Sequence, residues 1–394
     1  MSDYAQRIAR VSPSMTLQIN AEAAAMQDGG EDVARLGAGE PDFDTPEPIK
    51  AAAKRAIDEG FTHYTAAAGT QSLKRAVCDK FRRENNLTYA PENIMVTCGA
   101  KQSLYNLCQT LLQPGDEAIV PQPYWVSYPA QVTMAEGEPV FVQCDPDEGF
   151  TLKPTALEAA ISERTRLVFL NSPNNPTGRI YDRAELAAIG EVLRKYPGIL
   201  IVCDEIYEHL RWVDGPYQNF LNVNPDLKNR CVVVNGVSKA YAMTGWRVGY
   251  MAGPKDLIET MDKLQGQSTA GTCSISQHAA EQALRGDQGI VTEMTQAFRR
   301  RHDRILPEVK ALPNVSCQPA EGAFYLLPDF RTIIAERDDI EDDIQLAHRL
   351  LQEAKVALVP GSAFGAPGHL RLSFAADLDT NLEGIRRIEQ FLAA

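Results

Sequence analysis

The fold turns on Ile199-Leu200-Ile201-Val202-Cys203-Asp204-Glu205-Ile206-Tyr207. An unbroken apolar run that ends abruptly in carboxylates describes a strand buried on both faces, the kind found where helices cover both sides of a largely parallel sheet. Short runs of the same character stand at 94–97, 118–121, 140–142, 167–170 and 231–234, each followed by polar, Gly or Pro residues. Helical patterns alternate with them. One begins near Thr45, a candidate N-cap with Pro46 at the first helical position, and places Ile49, Ala52, Ala53, Ala56 and Ile57 on one face. The predicted fold is therefore α/β, a mostly parallel sheet covered by helices on both faces.

Past about residue 286 the pattern changes. An Arg-rich helix carries Arg299, Arg300 and Arg301, followed by strands near 323–327, 356–359 and 370–374. A helix presents Ile344, Ala347, Leu351 and Ala354, and a last helix presents Leu382, Ile385, Ile388 and Leu392. We expect residues 46–285 to form a large domain, with 1–45 and 286–394 forming a smaller α+β domain.

Lys plus Arg number 39 against 52 Asp plus Glu, a formal charge of −13, which argues against binding to a phosphate backbone. The eight cysteines form no C-x-x-C pair and several lie in apolar runs, so they read as buried thiols of a reducing compartment. No targeting segment and no 18-residue apolar stretch is visible. A cytoplasmic protein without a membrane or nucleic-acid partner is expected, and no metal site is read from the sequence.

In doubly covered sheets the ligand crevice lies beyond the strand ends. Asp204 closes the 199–203 run; alone it reads as a helix-capping residue, although a buried carboxylate calls for a cation or hydrogen-bond donor. Asn171-Ser172-Pro173-Asn174-Asn175-Pro176-Thr177-Gly178 follows the 167–170 run and alone reads as a plain connection. Ser238-Lys239-Ala240-Tyr241-Ala242-Met243-Thr244-Gly245-Trp246-Arg247 follows the 231–234 run. A lysine so close to a buried strand is oddly placed for a solvated charge, and desolvation would make it an amine nucleophile. Arg247 suits a phosphate dianion. Gly99-Ala100-Lys101-Gln102 opens a helix with small residues, leaving backbone N–H groups free for an anion.

Together these segments, in this order and nearly along the whole chain, resemble the fold type I pyridoxal-phosphate enzymes. Leu36-Gly37-Ala38-Gly39-Glu40-Pro41-Asp42-Phe43-Asp44 and Pro123-Tyr124-Trp125-Val126-Ser127-Tyr128 are similar to segments of the bacterial class I aspartate aminotransferases. The resemblance implies pyridoxal 5′-phosphate held by Lys239 as a Schiff base, with Lys239 then serving as proton carrier. It implies Asp204 against the pyridine nitrogen, Tyr207 and Asn175 on the phenolic oxygen, and Trp125 stacked on the ring, where core filling is the alternative. The phosphate would take donors around Gly99, Ala100 and Lys101, the Arg247 guanidinium, and Tyr64 of a second copy, which requires a homodimer with shared sites. Many relatives have Ser where this chain has Gly236, so that hydroxyl is absent or replaced by Ser238.

Arg371 would clamp the substrate α-carboxylate, with Gly39 allowing close approach of the backbone. The stretch 264–277 lacks the Arg by which animal-type enzymes read a distal carboxylate. Lys101 is the candidate for that role, with phosphate or solvent contact as the alternative. The function implied is reversible transfer of the α-amino group of aspartate to 2-oxoglutarate. A different or broader specificity, including prephenate, aromatic or neutral amino acids, is the alternative; Ser12, where prephenate-active members often carry Lys, argues against prephenate. A β-lyase, or a cofactor-sensing regulator with an added DNA-binding module, fits less well.

Overall fold

The computed structural model describes residues 5–213 and 215–394. Its strands are β1 (Ala34–Arg35), β2 (Ile94–Thr97), β3 (Glu117–Gln122), β4 (Glu138–Gln143), β5 (Thr165–Asn171), β6 (Leu200–Asp204), β7 (Cys231–Gly236), β8 (Gly249–Ala252), β9 (Tyr325–Leu326), β10 (Val356–Ala357), β11 (Val359–Pro360) and β12 (Leu370–Ser373). Seven of them form one sheet in the order β2-β8-β7-β6-β5-β3-β4. Its neighbours pair in parallel, except that β8 runs antiparallel to both β2 and β7.

The apolar runs behave as strands covered on two sides. Val168, Ile201 and Val233 face one buried cluster, while Leu167, Val202 and Val234 face another. Successive side chains point to opposite faces, so a run with no polar residue is what two covered faces demand.

A third cluster gathers Leu36, Phe298, Leu346, Leu372 and Ile388 from the two chain ends, and Tyr207 and Leu210 reach it from beyond β6. The long helix Gly289–Ala311 spans both regions: Val291 packs with the large-sheet core, and Phe298 and Ile305 with this one. Here β12 lies between β11 and β9, and β1 pairs in parallel with β10.

Several expectations change. Thr45 does not cap the helix Glu47–Asp58, whose N-cap is Pro46; its hydroxyl donates instead to the Ala242 carbonyl at 2.6 Å. Ile57 sits at the edge of the apolar stripe and is exposed, unlike Ile49, Ala52, Ala53 and Ala56. Ile344 is likewise exposed, outside the buried face formed by Leu346, Ala347, Leu350 and Leu351, while Ala354 packs against the same core from just beyond the helix Asp343–Gln352. The 323–327 run shrinks to β9, and 356–359 divides into β10 and part of β11. Cys98 and Cys273 are exposed, while the other six cysteines are buried. No described helix is long and apolar enough to cross a membrane.

Candidate active site

Two neighbouring strands deliver the site. Asn171 at the end of β5 is paired in register with Asp204 at the end of β6, and the Asn171 side chain donates to the Asp204 carbonyl at 2.9 Å. The Asn171 side-chain oxygen then accepts from the Asn175 N–H at 3.0 Å, which fixes the turn that carries Asn175. Beyond these ends opens a cavity of about 440 Å³, within the size range of small-molecule sites.

Gly39, Ala100, Lys101, Trp125, Asn175, Asp204, Tyr207, Lys239, Arg247 and Arg371 all line this cavity. Residues far apart in sequence are thus gathered around one volume. Gly99 lies directly behind: it has φ +77°, and a Cβ there would run into the Arg247 guanidinium. Tyr64 is not brought to this cavity and stands 100% exposed.

Lys239 donates to the Gly39 carbonyl at 2.5 Å. Burial lowers its ammonium to about 8, with Glu40 opposing and Arg371, Arg247 and Lys101 reinforcing the shift. Near neutral pH roughly a tenth is therefore the free amine, far more than for an ordinary lysine, and this is the form able to attack a carbonyl or accept a proton.

Asp204 is buried and raised to about 6, chiefly by loss of water. The Tyr128 hydroxyl donates to it at 2.7 Å and the Ile206 N–H at 3.2 Å, both favouring the charged form. No described Lys, Arg or His forms an ion pair with it. The backbone carrying Asp204 and Tyr207 is anchored from behind by buried Glu208, which accepts from Asn235 at 2.8 Å and Asn85 at 2.5 Å and pairs with Lys80.

Arg371 points inward from β12 and is 2% exposed. One terminal nitrogen donates to the Asn175 side-chain oxygen at 3.0 Å, the other to the Gly37 carbonyl at 2.9 Å, and the buried Nε has no partner among the described residues. Its plane lies over Tyr325 at 4.4 Å and Phe364 at 4.8 Å. A guanidinium held between aromatic faces without a carboxylate is a preorganised anion site.

Tyr128, Tyr325 and Ser238 also line the cavity and were assigned no place in it from sequence, apart from Ser238 as a substitute hydroxyl. Tyr325 shares a 2.8 Å hydrogen bond with Tyr207. At Gly236 a Cβ would press at 3.1 Å on Gly249 and the Val248 carbonyl, so the close β7–β8 pairing accounts for the missing hydroxyl there. Lys101 projects over Trp125 at 5.0 Å from the ring centre, and Trp125 meets Tyr128 edge-on at 5.4 Å.

A half-buried amine, a carboxylate lacking a cation, a guanidinium without a carboxylate and a glycine-backed arginine suit a substrate with a carboxylate and a cofactor with a phosphate. Residues 31–388 match the family described as aminotransferase class I and II. The chain belongs to this family. It is 48% identical to the aspartate/prephenate aminotransferase of Nitrosomonas europaea over 98% of this chain and 99% of that protein. It is 46% identical to the aspartate aminotransferase of Geobacillus stearothermophilus, with 99% of each covered. Among solved structures, the aspartate aminotransferase of Rhizobium meliloti superposes with a TM-score of 0.95 at 44% identity, covering 100% of this chain and 99% of that one. That of Thermus thermophilus with maleate superposes at 0.93 and 41% identity, covering 99% and 100%. The chain is thus an aminotransferase whose mostly parallel, helix-flanked sheet is that of its structural neighbours.

Proposed function

We propose that this aminotransferase moves the α-amino group of L-aspartate to 2-oxoglutarate, using pyridoxal 5′-phosphate held by Lys239. The observation that carries the reading is the convergence of Lys239, Asp204 and Arg371 on one cavity. The cofactor fits the residues present: Lys239 supplies the amine, Asp204 a carboxylate without a cation, and Arg247 with the Gly99–Ala100 backbone a cradle that a Cβ at Gly99 would fill. When bound, pyridoxal phosphate supplies a ring that draws electron density from the substrate Cα.

The protein's own groups would then divide the work. Asp204, supported by Tyr128, would hold a negative charge for the pyridine nitrogen and favour its protonated form. Tyr207 and Asn175 would hold the phenolic oxygen, and Trp125 would cover the ring. Arg371 would take the α-carboxylate and set Cα beside Lys239, whose free amine would accept the Cα proton and carry it. Gly39 leaves room beside them.

Lys101 is the reader of the distal carboxylate, a role supported by its place at the cavity wall without an ion-pair partner among the described residues. Relatives named aspartate/prephenate aminotransferases support a second acceptor, prephenate, while Ser12 supports the narrower range. Tyr64, fully exposed on its own chain, belongs in this reading to the phosphate site of a partner copy in a homodimer. Residues 46–285 would form the cofactor-binding domain and 1–45 with 286–394 the smaller one. The unpaired cysteines support a cytoplasmic setting.

Replacing Lys239 by Ala tests the core claim. It should remove the absorbance of the lysine-bound cofactor and all measurable transamination. Turnover near the wild-type rate by that variant would sink the assignment.

A further inference from the structure

We propose that Arg35 is a specificity-determining residue, a second carboxylate reader in the wall of the cavity that serves dicarboxylic acids longer than aspartate, such as glutamate and 2-oxoglutarate. The proposal rests on the reading of Arg371 as the α-carboxylate clamp. Ala34 and Leu36 are buried in the small-domain core, and Arg35 between them turns to the cavity.

Arg35 stands on the same segment as two backbone groups that hold the site. The Gly37 carbonyl accepts from Arg371, and the Gly39 carbonyl accepts from Lys239. Leu36 and Gly37 form the turn that follows β1, so Arg35 stands two residues before the Gly37–Arg371 contact. The charges that bear most on Lys239 are Glu40, Arg371, Arg247 and Lys101, and Arg35 stands outside this inner set. Lys101 lines the same cavity from a different element, the first turn of the helix Ala100–Leu111.

The guanidinium is also uncommitted. No ion pair or side-chain hydrogen bond involves it among the described residues, and its buried Nε has no partner. Nearby carboxylates are engaged elsewhere: Glu31 with Lys355, and Asp32 with Arg387 at 2.5 Å. A partly desolvated guanidinium without an anion is a site waiting for one. The two substrates of the proposed reaction differ by one methylene, so with the α-carboxylate held at Arg371 their distal carboxylates stand at different places along the cavity. A second cation in the wall, on a different segment from Lys101, supplies the second position.

The test uses the cofactor-loaded enzyme and two inert acids, succinate with four carbons and glutarate with five, titrated by calorimetry. Arg35→Gln should weaken glutarate about tenfold, the loss of one charge-assisted hydrogen bond, while changing succinate by less than about twofold. Arg35→Lys should recover part of the glutarate affinity. In turnover, the KM for glutamate should rise with kcat unchanged, and the KM for aspartate and for alanine should stay put. Equal weakening of both diacids, or no weakening of either, would overturn the proposal. A parallel Arg371→Ala titration separates the two claims: if it binds both diacids as the wild type does, the clamp reading fails whatever Arg35 does.

Discussion

Asp204 is a carboxylate kept away from water, and its stability cost can be read from its titration. The folded chain holds its proton up to about 6, whereas an ordinary carboxyl has released it near 4. Between those values the folded state binds more protons than the unfolded state, so stability falls as pH rises through the window and stays lost above it. The shift corresponds to a penalty on the order of 3 kcal/mol, borne by the cofactor-free protein at neutral pH. Asp204→Asn should therefore lose this pH dependence: urea unfolding of cofactor-free protein between pH 4 and 6 should show the wild type weakening relative to the variant. Parallel curves would mean that Asp204 is better solvated than its burial implies. Lys239 has the opposite sign: lowered to about 8, it makes the folded state bind fewer protons, so stability rises from there toward the ordinary lysine value. Lys101, over Trp125, carries a prediction about selectivity. Lys101→Ala should raise the KM for aspartate about tenfold or more, the worth of a partly desolvated charged pair, with little effect on alanine; equal changes for the two donors would remove Lys101 from the role.

The strand Gly249–Ala252 shows what an element contributes beyond its side chains. Gly249 pairs with both Thr97 and Gly236, and a Cβ on it would collide with the backbone at Gly99 and Ala100. The phosphate cradle therefore rests on a glycine of another strand, and Gly249→Ala should destabilise the fold by about 1–3 kcal/mol through overpacking, with weaker cofactor retention. An unchanged melting temperature would show that the helix start can move aside. This strand was not legible in the sequence: it is short, it begins with Gly, and it comes after the Trp246-Arg247 turn without the apolar run that marked its neighbours. Where strands are apolar throughout, as at β6 and β7, two covered faces wrote themselves into the sequence, and Asp204 and Lys239 could be found just beyond. Tyr128 and Tyr325 could not be placed, because their aromatic character fits any core and the partners that define them, Asp204 and Tyr207, lie 76 and 118 residues away. Thr45 misled for a related reason: its local context favours a cap, but a distant carbonyl at Ala242 claims its hydroxyl.

At the scale of the whole molecule the exposed residues matter most. Tyr64 at 100% and Phe61 at 39% lie on one loop after the helix Glu47–Asp58, and Cys273 is exposed nearby, with Ser274 donating to the Phe61 carbonyl at 2.8 Å. Aromatic groups left to water in this way suit a surface covered by a second copy. If each site combines Lys239 of one chain with Tyr64 of the other, the two can be inactivated on separate chains. A dimer formed from a Lys239→Ala chain and a Tyr64→Ala chain then holds one site with both residues intact and one with neither. Random reassortment makes roughly half of all dimers mixed, so at limiting pyridoxal phosphate activity should rise toward about a quarter of the wild-type level, above the mean of the two parent variants. Activity equal to that mean after verified subunit exchange would show that each chain completes its own site, and Tyr64 would lose its role at the phosphate.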